Sequence, residues 1–177
     1  MAGRKYASDY RLESHISPDG KAESVPVYQG KYFTFVESPG KIRWLKKILA
    51  AGIALELLLL LPMLLDNTRL GRTIYIVLPA VFTLVPLFLL GAAIRHLTTD
   101  TPFTRENRDK SDKRINNGCV TLVVFLSVSC IGCIVHFLLN GIVLNELFCV
   151  ICLFLALAVS ILMLPYRKLA RTREVKK

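Results

Sequence analysis

The stretch from Ile115 to Pro165 limits the fold of this chain more than any other feature of its sequence. Its 51 residues contain no Lys or Arg, and Glu146 is their only acidic side chain. No face of such a segment is polar, so it does not suit a helix on the surface of a soluble protein. A helix needs about 20 apolar residues to cross a bilayer. The segment is therefore long enough to cross twice, with the turn beginning at Asn140 and ending at Glu146.

A second apolar hairpin precedes this one, so the apolar residues form four blocks. The pattern predicts an all-α membrane protein, a four-transmembrane-helix bundle made of two helical hairpins within residues 41–165. Pro79 and Pro86 predict kinks in the second helix. In the polar loop, Thr104 is expected to begin a short charged helix. The helices are expected at about 42–65, 73–94, 115–138 and 142–165, with the loop at 95–114.

Residues 1–40 are polar and predict a small β-hairpin or meander. Residues roughly alternate in polarity from Tyr10 to Ile16, a turn signal follows at 18–21, and apolar runs cover 25–28 and 32–36. A sheet of this size cannot form its own core. We therefore expect it to lean on the membrane surface or on the helix ends through its aromatic residues. The alternative is an unstructured tail that contains one hairpin.

The distribution of positive charge predicts an orientation. The net charge is +10, and of the 23 Lys and Arg residues only Arg69 and Arg72 lie in the turn between the first two helices. The others lie in the N-terminal segment, the central loop and the basic tail 166–177. The positive-inside rule then places both termini and the loop in the cytoplasm, in a multi-pass protein of the plasma membrane.

The same charges indicate which partners to expect. Cations that flank apolar blocks favour anionic lipid headgroups over nucleic acid. Loop 95–114 mixes charges of both signs, which suits a protein surface better than a nucleic-acid groove. The expected partners are the lipid bilayer and either a second copy of the chain or another membrane protein.

Glu56 is the one acidic residue in the first apolar block, near the expected midplane of the membrane. An ionised carboxylate there costs on the order of 3 kcal/mol, so Glu56 should face the interior and meet a donor or be protonated. Thr83, Ser127 and Ser129 lie at similar depth. One interpretation is a hydrogen bond between helices, and the other is a proton or cation site. A buried Glu in the first of four helices resembles the small multidrug-resistance transporters, which implies exchange of cationic drugs for protons.

The cysteines form the second candidate site. Two CxxC pairs flank the last turn at similar depth, so four sulfurs that converge there could bind a soft metal or exchange disulfides. This arrangement resembles quinone-coupled disulfide oxidoreductases and vitamin K epoxide reductase relatives. Those families also need a cysteine pair in an external loop, and none lies in the turns here. The alternative is packing by small residues, as in the four-spaced row Cys152, Ala156 and Ser160. The weak metal candidates are Cys130, Cys133, Cys149 and Cys152.

Polar groups at the last turn form the third candidate site. His136, Asn140, Asn145 and Glu146 are expected to cap and anchor the helix ends, although His136 has the chemistry of a pH sensor. No catalytic motif or cofactor motif was found, so an enzyme is not expected. The leading hypothesis is a non-enzymatic accessory or scaffold subunit of a membrane complex. The alternatives are a small proton-coupled transporter that uses Glu56 and a membrane thiol or metal protein that uses the CxxC pairs.

Overall fold

A computed structural model describes residues 4–16, 22–97 and 102–175 of the chain. It contains four helices that are long and apolar enough to cross a membrane, as the four apolar blocks predict, together with a small N-terminal strand pair. These helices suggest a multi-pass membrane protein. The helical elements are α1 Pro39–Leu65, α2 Ile74–Phe82, α3 Leu84–His96, α4 Arg105–Arg108, α5 Arg114–Asn140 and α6 Leu144–Met163.

The helices pack as two hairpins side by side. α1 packs against α6 and α3, while α5 packs against α6, α2 and α3, so α1 and α5 occupy opposite corners of the bundle. Leu45, Leu60, Leu90, Leu122 and Leu153 fill the interior and are fully buried. Large apolar side chains also cover the outside of the bundle, as a lipid-facing surface requires.

The second of the four long apolar helices is broken between α2 and α3 at Thr83. The Thr83 backbone N–H donates to the carbonyl oxygens of Pro79 (3.2 Å) and Ala80 (3.3 Å), and helical bonding resumes when Leu87 N–H donates to Thr83 O. Pro86 has no N–H to donate into the preceding turn, which explains why regular helix is lost at this position.

The third spanning helix begins in the charged loop. α4 follows Thr104 and continues through a π-helical turn, Asp109–Lys113, directly into α5. α5 ends at Asn140 and is followed by Gly141, whose φ of 76° is easily reached only by a residue without a Cβ. A short turn then leads to α6.

The strands form two separate pairs rather than one meander. β1 Tyr10–Ile16 and β2 Ala22–Tyr28 form the expected antiparallel hairpin, and the predicted turn at 18–21 lies outside the described residues. β3 Phe33–Phe35 pairs instead with β4 Thr172–Glu174 near the C-terminus, so its expected place in an N-terminal meander is wrong. β3 also bridges to Phe103 through Phe33, and the rings of Phe35 and Phe103 lie 4.8 Å apart, an apolar contact that the hairpin does not supply.

Candidate functional site

Three polar segments meet at the basic end of the bundle, where α1 and α5 begin and α3 and α6 end. We call residues 4–16, 22–38, 102–113 and 165–175 the cap. Phe33 and Phe103 exchange two backbone hydrogen bonds of 2.9 Å, which link the N-terminal segment to the central loop. Thr172 Oγ1 donates to Asp112 Oδ2 at 3.2 Å, which ties the tail to the same loop. The cap is thus one body built from distant parts of the chain.

Two tyrosines fasten the N-terminal segment to this body. The Tyr6 hydroxyl donates to Asp109 Oδ2 at 3.1 Å, and the Tyr28 hydroxyl accepts from the Arg105 backbone N–H at 3.0 Å while donating to Lys31 O. Burial raises the pKa of both phenols, and the hydrogen bond to Asp109 raises the pKa of Tyr6 further. Both hydroxyls therefore keep their protons at neutral pH and remain donors.

A cleft of about 600 Å³ opens in the cap between the segment that follows β2, α4 and the end of β4. Asp9 and Arg108 both line it, and the Arg108 guanidinium also lies over the Phe33 ring at 4.6 Å. Among the described residues, neither Asp9 Oδ2 nor Arg108 Nε has a hydrogen-bond partner, although both atoms are buried. Buried polar atoms are normally satisfied, so this cleft can accept a group that carries both a donor and an acceptor.

Glu56 lies inside the bundle and is fully buried, as the sequence predicts. Its Oε1 accepts a hydrogen bond from Ser160 Oγ on α6, and its Oε2 has no partner among the described residues. Thr83 Oγ1 instead donates to Ala80 O at 2.5 Å, and Ser129 Oγ donates to Ile76 O at 3.1 Å. The partner of Glu56 is therefore Ser160, because α1 packs against α6, and neither Thr83 nor Ser129 fills that role.

Ser129 belongs to a close contact between α5 and α2. Gly132 lies one turn further along α5, and a Cβ at that position would lie 3.0 Å from Ile76 Cγ1 and 3.2 Å from Tyr75 O. Pro79 removes the N–H that would otherwise bond to the Tyr75 carbonyl. Gly132 and Ser129 together let α5 pack closely against α2.

The five cysteines are all buried and free. Cys130 Sγ donates weakly to Leu153 O at 3.8 Å, whereas Cys149 Sγ donates to Pro62 O at 3.6 Å. Cys130 thus contacts α6 and Cys149 contacts α1. In residues 4–16, 22–97 and 102–175, no three His, Cys, Asp or Glu side chains are placed to hold a metal ion. This geometry favours the packing interpretation of the cysteines.

The third group gathers at the opposite end of the bundle. His136 Nε2 lies 3.4 Å from Glu146 Oε2, and Thr73 Oγ1 and Asn140 Nδ2 each lie 3.3 Å from His136 Nδ1. Glu146 Oε1 accepts from the Leu70 backbone N–H at 3.2 Å. These contacts join the turn between the first two spans to the ends of α5 and α6. The sequence indicated His136, Asn140 and Glu146 but not Thr73, whereas Asn145, which it also placed in this cluster, is exposed.

Together these features describe a small bundle of four helices that are long and apolar enough to cross a membrane, with polar side chains buried at three levels and a folded cap at one end. Comparison with known protein families, curated proteins and solved structures found no match to this chain.

Proposed function

We propose that this protein is a non-enzymatic accessory or scaffold subunit that spans the plasma membrane and docks a partner protein in the cytoplasm. The cleft in the cap carries the proposal. Its lining holds a buried carboxylate oxygen of Asp9 and a buried guanidinium N–H of Arg108 without partners among the described residues. A polar segment of a partner that inserts there and displaces the atoms that cover them would satisfy both.

The construction of the cap supports docking as its role. Each spanning hairpin contributes to it, since the N-terminal segment precedes α1, the loop precedes α5 and the tail follows α6. β3 pairs with β4 across more than half of the chain, and Phe33 also pairs with Phe103 in the central loop. A partner that binds this surface is therefore held against the whole bundle rather than against one flexible tail.

The test compares two charge reversals in the N-terminal segment. Asp9→Lys places a cation in the cleft beside Arg108, whereas Glu13→Lys makes the same change on an exposed position of β1. Each full-length variant carries a photo-crosslinking residue at Lys31, which lines the cleft. We expect the wild type and Glu13→Lys to form the same discrete protein adduct in cells, and Asp9→Lys to lose it.

Two results would contradict docking at the cleft. One is an adduct that Asp9→Lys leaves unchanged. The other is crosslinking only to lipid or to the chain itself. Circular dichroism and proteolysis of the purified variants establish that the cap stays folded in each case.

A small proton-coupled transporter is the second candidate, and Glu56 Oε2, which has no hydrogen-bond partner in the described part of the chain, favours it. A buried carboxyl with a free oxygen and no cation beside it can bind and release a proton during transport. Reconstitution in liposomes with an internal pH dye tests this function. Glu56→Gln keeps the size of the side chain and removes its proton exchange, so it should abolish coupled proton flux while Ser127→Ala does not. Equal flux in wild type and Glu56→Gln would eliminate this candidate.

A further inference from the structure

We infer that the groove between α1 and α3 binds one anionic phospholipid, with an acyl chain along the groove and the phosphate at Arg95. The inference rests on the proposed membrane insertion but not on docking at the cap. The groove has a volume of about 500 Å³. Ile53 and Leu57 form its α1 side, while Leu84, Phe88 and Gly91 line its α3 side.

The length of the groove matches one leaflet of a bilayer. Leu84 and Arg95, its two ends on α3, are eleven residues apart, which is about 16 Å along a helix. The hydrocarbon core of a bilayer is about 30 Å thick. The groove thus extends from the basic end to the middle of the membrane, as a single acyl chain does, whereas a helix of a second protein would contact the full height of the bundle.

The wall of the groove has room for a chain. Gly91 leaves space in the wall, since a Cβ built there meets no heavy atom within 4 Å. Phe88 is 79% exposed beside it. An acyl chain that occupies this space would cover apolar surface that the bundle itself leaves unpacked.

Positive charge lies at the mouth of the groove. Arg95 is exposed, and no carboxylate pairs with it among the residues that the structure describes. Lys46 comes seven residues before Ile53, so it lies two turns closer to the basic end on the same face of α1. It also lacks a carboxylate partner in the described part of the chain. Cations at headgroup depth select anionic lipids.

A second groove provides an internal comparison. It lies between α1 and α6 toward the opposite end, is lined by Leu58, Pro62, Leu65 and Phe148 among others, and has a similar volume of about 490 Å³. No Lys or Arg lines it. Both grooves can accept an acyl chain, but only the groove that ends at Arg95 should distinguish the charge of the headgroup.

The test measures lipid binding to the full-length protein in mild detergent. Dioleoylphosphatidylglycerol or dioleoylphosphatidylcholine is added in mixed micelles, and bound lipid is counted by native mass spectrometry. Gly91→Leu places a side chain in the groove from a position where a Cβ meets nothing within 4 Å, and Gly40→Leu is the matched control, because the same is true of a Cβ at Gly40. Arg95→Gln removes the charge at the mouth and leaves the groove open.

We expect the wild type and Gly40→Leu to bind the anionic lipid in preference to the zwitterionic one. Gly91→Leu should no longer bind the one anionic lipid that occupies the groove in the wild type. Arg95→Gln should still bind lipid, but its preference for the anionic over the zwitterionic lipid should fall about fivefold, which is the effect of one cation near an anionic headgroup. Asp9→Lys, the cap variant, should bind lipid as the wild type does, which keeps this result separate from docking.

Several outcomes would overturn the inference. If Gly91→Leu retains the anionic lipid, the groove is not its site, and if Arg95→Gln keeps the full preference, Arg95 does not hold the phosphate. If Gly91→Leu changes the oligomeric mass in detergent, a second copy of the chain occupies the groove. Before the lipid measurements, cell membranes are washed with alkaline carbonate to test whether the protein is inserted in the bilayer. Release of the protein would refute insertion itself, whereas a retained protein without lipid preference refutes only the groove.

Discussion

The hydrogen bond from Ser160 to Glu56 gives the most quantitative prediction for the bundle. Ser160→Ala removes the one partner of the Glu56 carboxyl among the described residues, and both side chains are fully buried. Hydrogen bonds between spanning helices contribute on average about 0.6 kcal/mol and at most about 1.7 kcal/mol. Leaving a buried polar group unsatisfied costs about 1–3 kcal/mol. We therefore expect Ser160→Ala to lower the free energy of unfolding by about 1–2 kcal/mol.

A double-mutant cycle separates this interaction from general effects of packing. Glu56→Leu removes the carboxyl, and the freed Ser160 hydroxyl can bond to its own helix. The double variant Glu56→Leu with Ser160→Ala should be close to the wild type in stability, because replacing both partners of a buried pair by apolar groups is nearly neutral. The two substitutions should thus couple by about 1 kcal/mol.

The assay is unfolding in mixed micelles by titration with sodium dodecyl sulfate, followed by tryptophan fluorescence of Trp44, the single tryptophan of the chain. Ser127→Ala is the control, because it removes a half-buried hydroxyl on α5, away from the contact between α1 and α6. Additive effects of Glu56→Leu and Ser160→Ala would refute the interaction. So would a loss of stability in Ser127→Ala as large as that in Ser160→Ala.

Three further substitutions test other contacts. Phe103→Ala should loosen the cap by about 3–5 kcal/mol and expose the N-terminal segment to limited proteolysis; unchanged cleavage would contradict the role of that ring. Gly132→Ala should cost about 1–3 kcal/mol through overpacking against α2, whereas Gly91→Ala, which meets open space, should cost no stability in the same titration. Glu146→Leu should cost about 1–3 kcal/mol, because the buried Leu70 N–H loses its acceptor; a neutral result would show that this contact adds nothing.

The sequence predicts the spanning helices well because their signal is local. A run of about 20 apolar residues identifies a span without any knowledge of its neighbours, and Pro79 and Pro86 mark the irregular helix directly. The burial of Glu56 follows in the same way, since charge at that depth must turn inward.

The partners of these residues depend on which helices are neighbours, and sequence does not encode that order locally. Thr83, Ser127 and Ser129 have the right depth for Glu56, but depth alone does not tell which neighbouring helix each side chain faces. Ser160 belongs to the four-spaced small row on α6, which could have pointed to a close contact with another helix. That the other helix is α1 emerges only from the packed structure.

The strand pairs illustrate the same limit. β1 and β2 are adjacent in sequence, so their alternation and turn signal predict a hairpin. β3 pairs with β4, which lies beyond all four spanning helices. The two strands of this pair are far apart in sequence, so no short-range pattern predicts it.

Membrane topology is the central claim, and cysteine labelling tests it most directly. Single cysteines are placed at three exposed positions, Leu12, Asn67 and Val175, and wild type serves as the background because its five thiols are buried. A membrane-impermeant maleimide is applied to intact cells and then to permeabilised cells. The account predicts that Asn67→Cys is labelled in intact cells, and that Leu12→Cys and Val175→Cys are labelled only after permeabilisation. Labelling of Leu12→Cys and Val175→Cys from opposite sides, or of all three from one side, would contradict it.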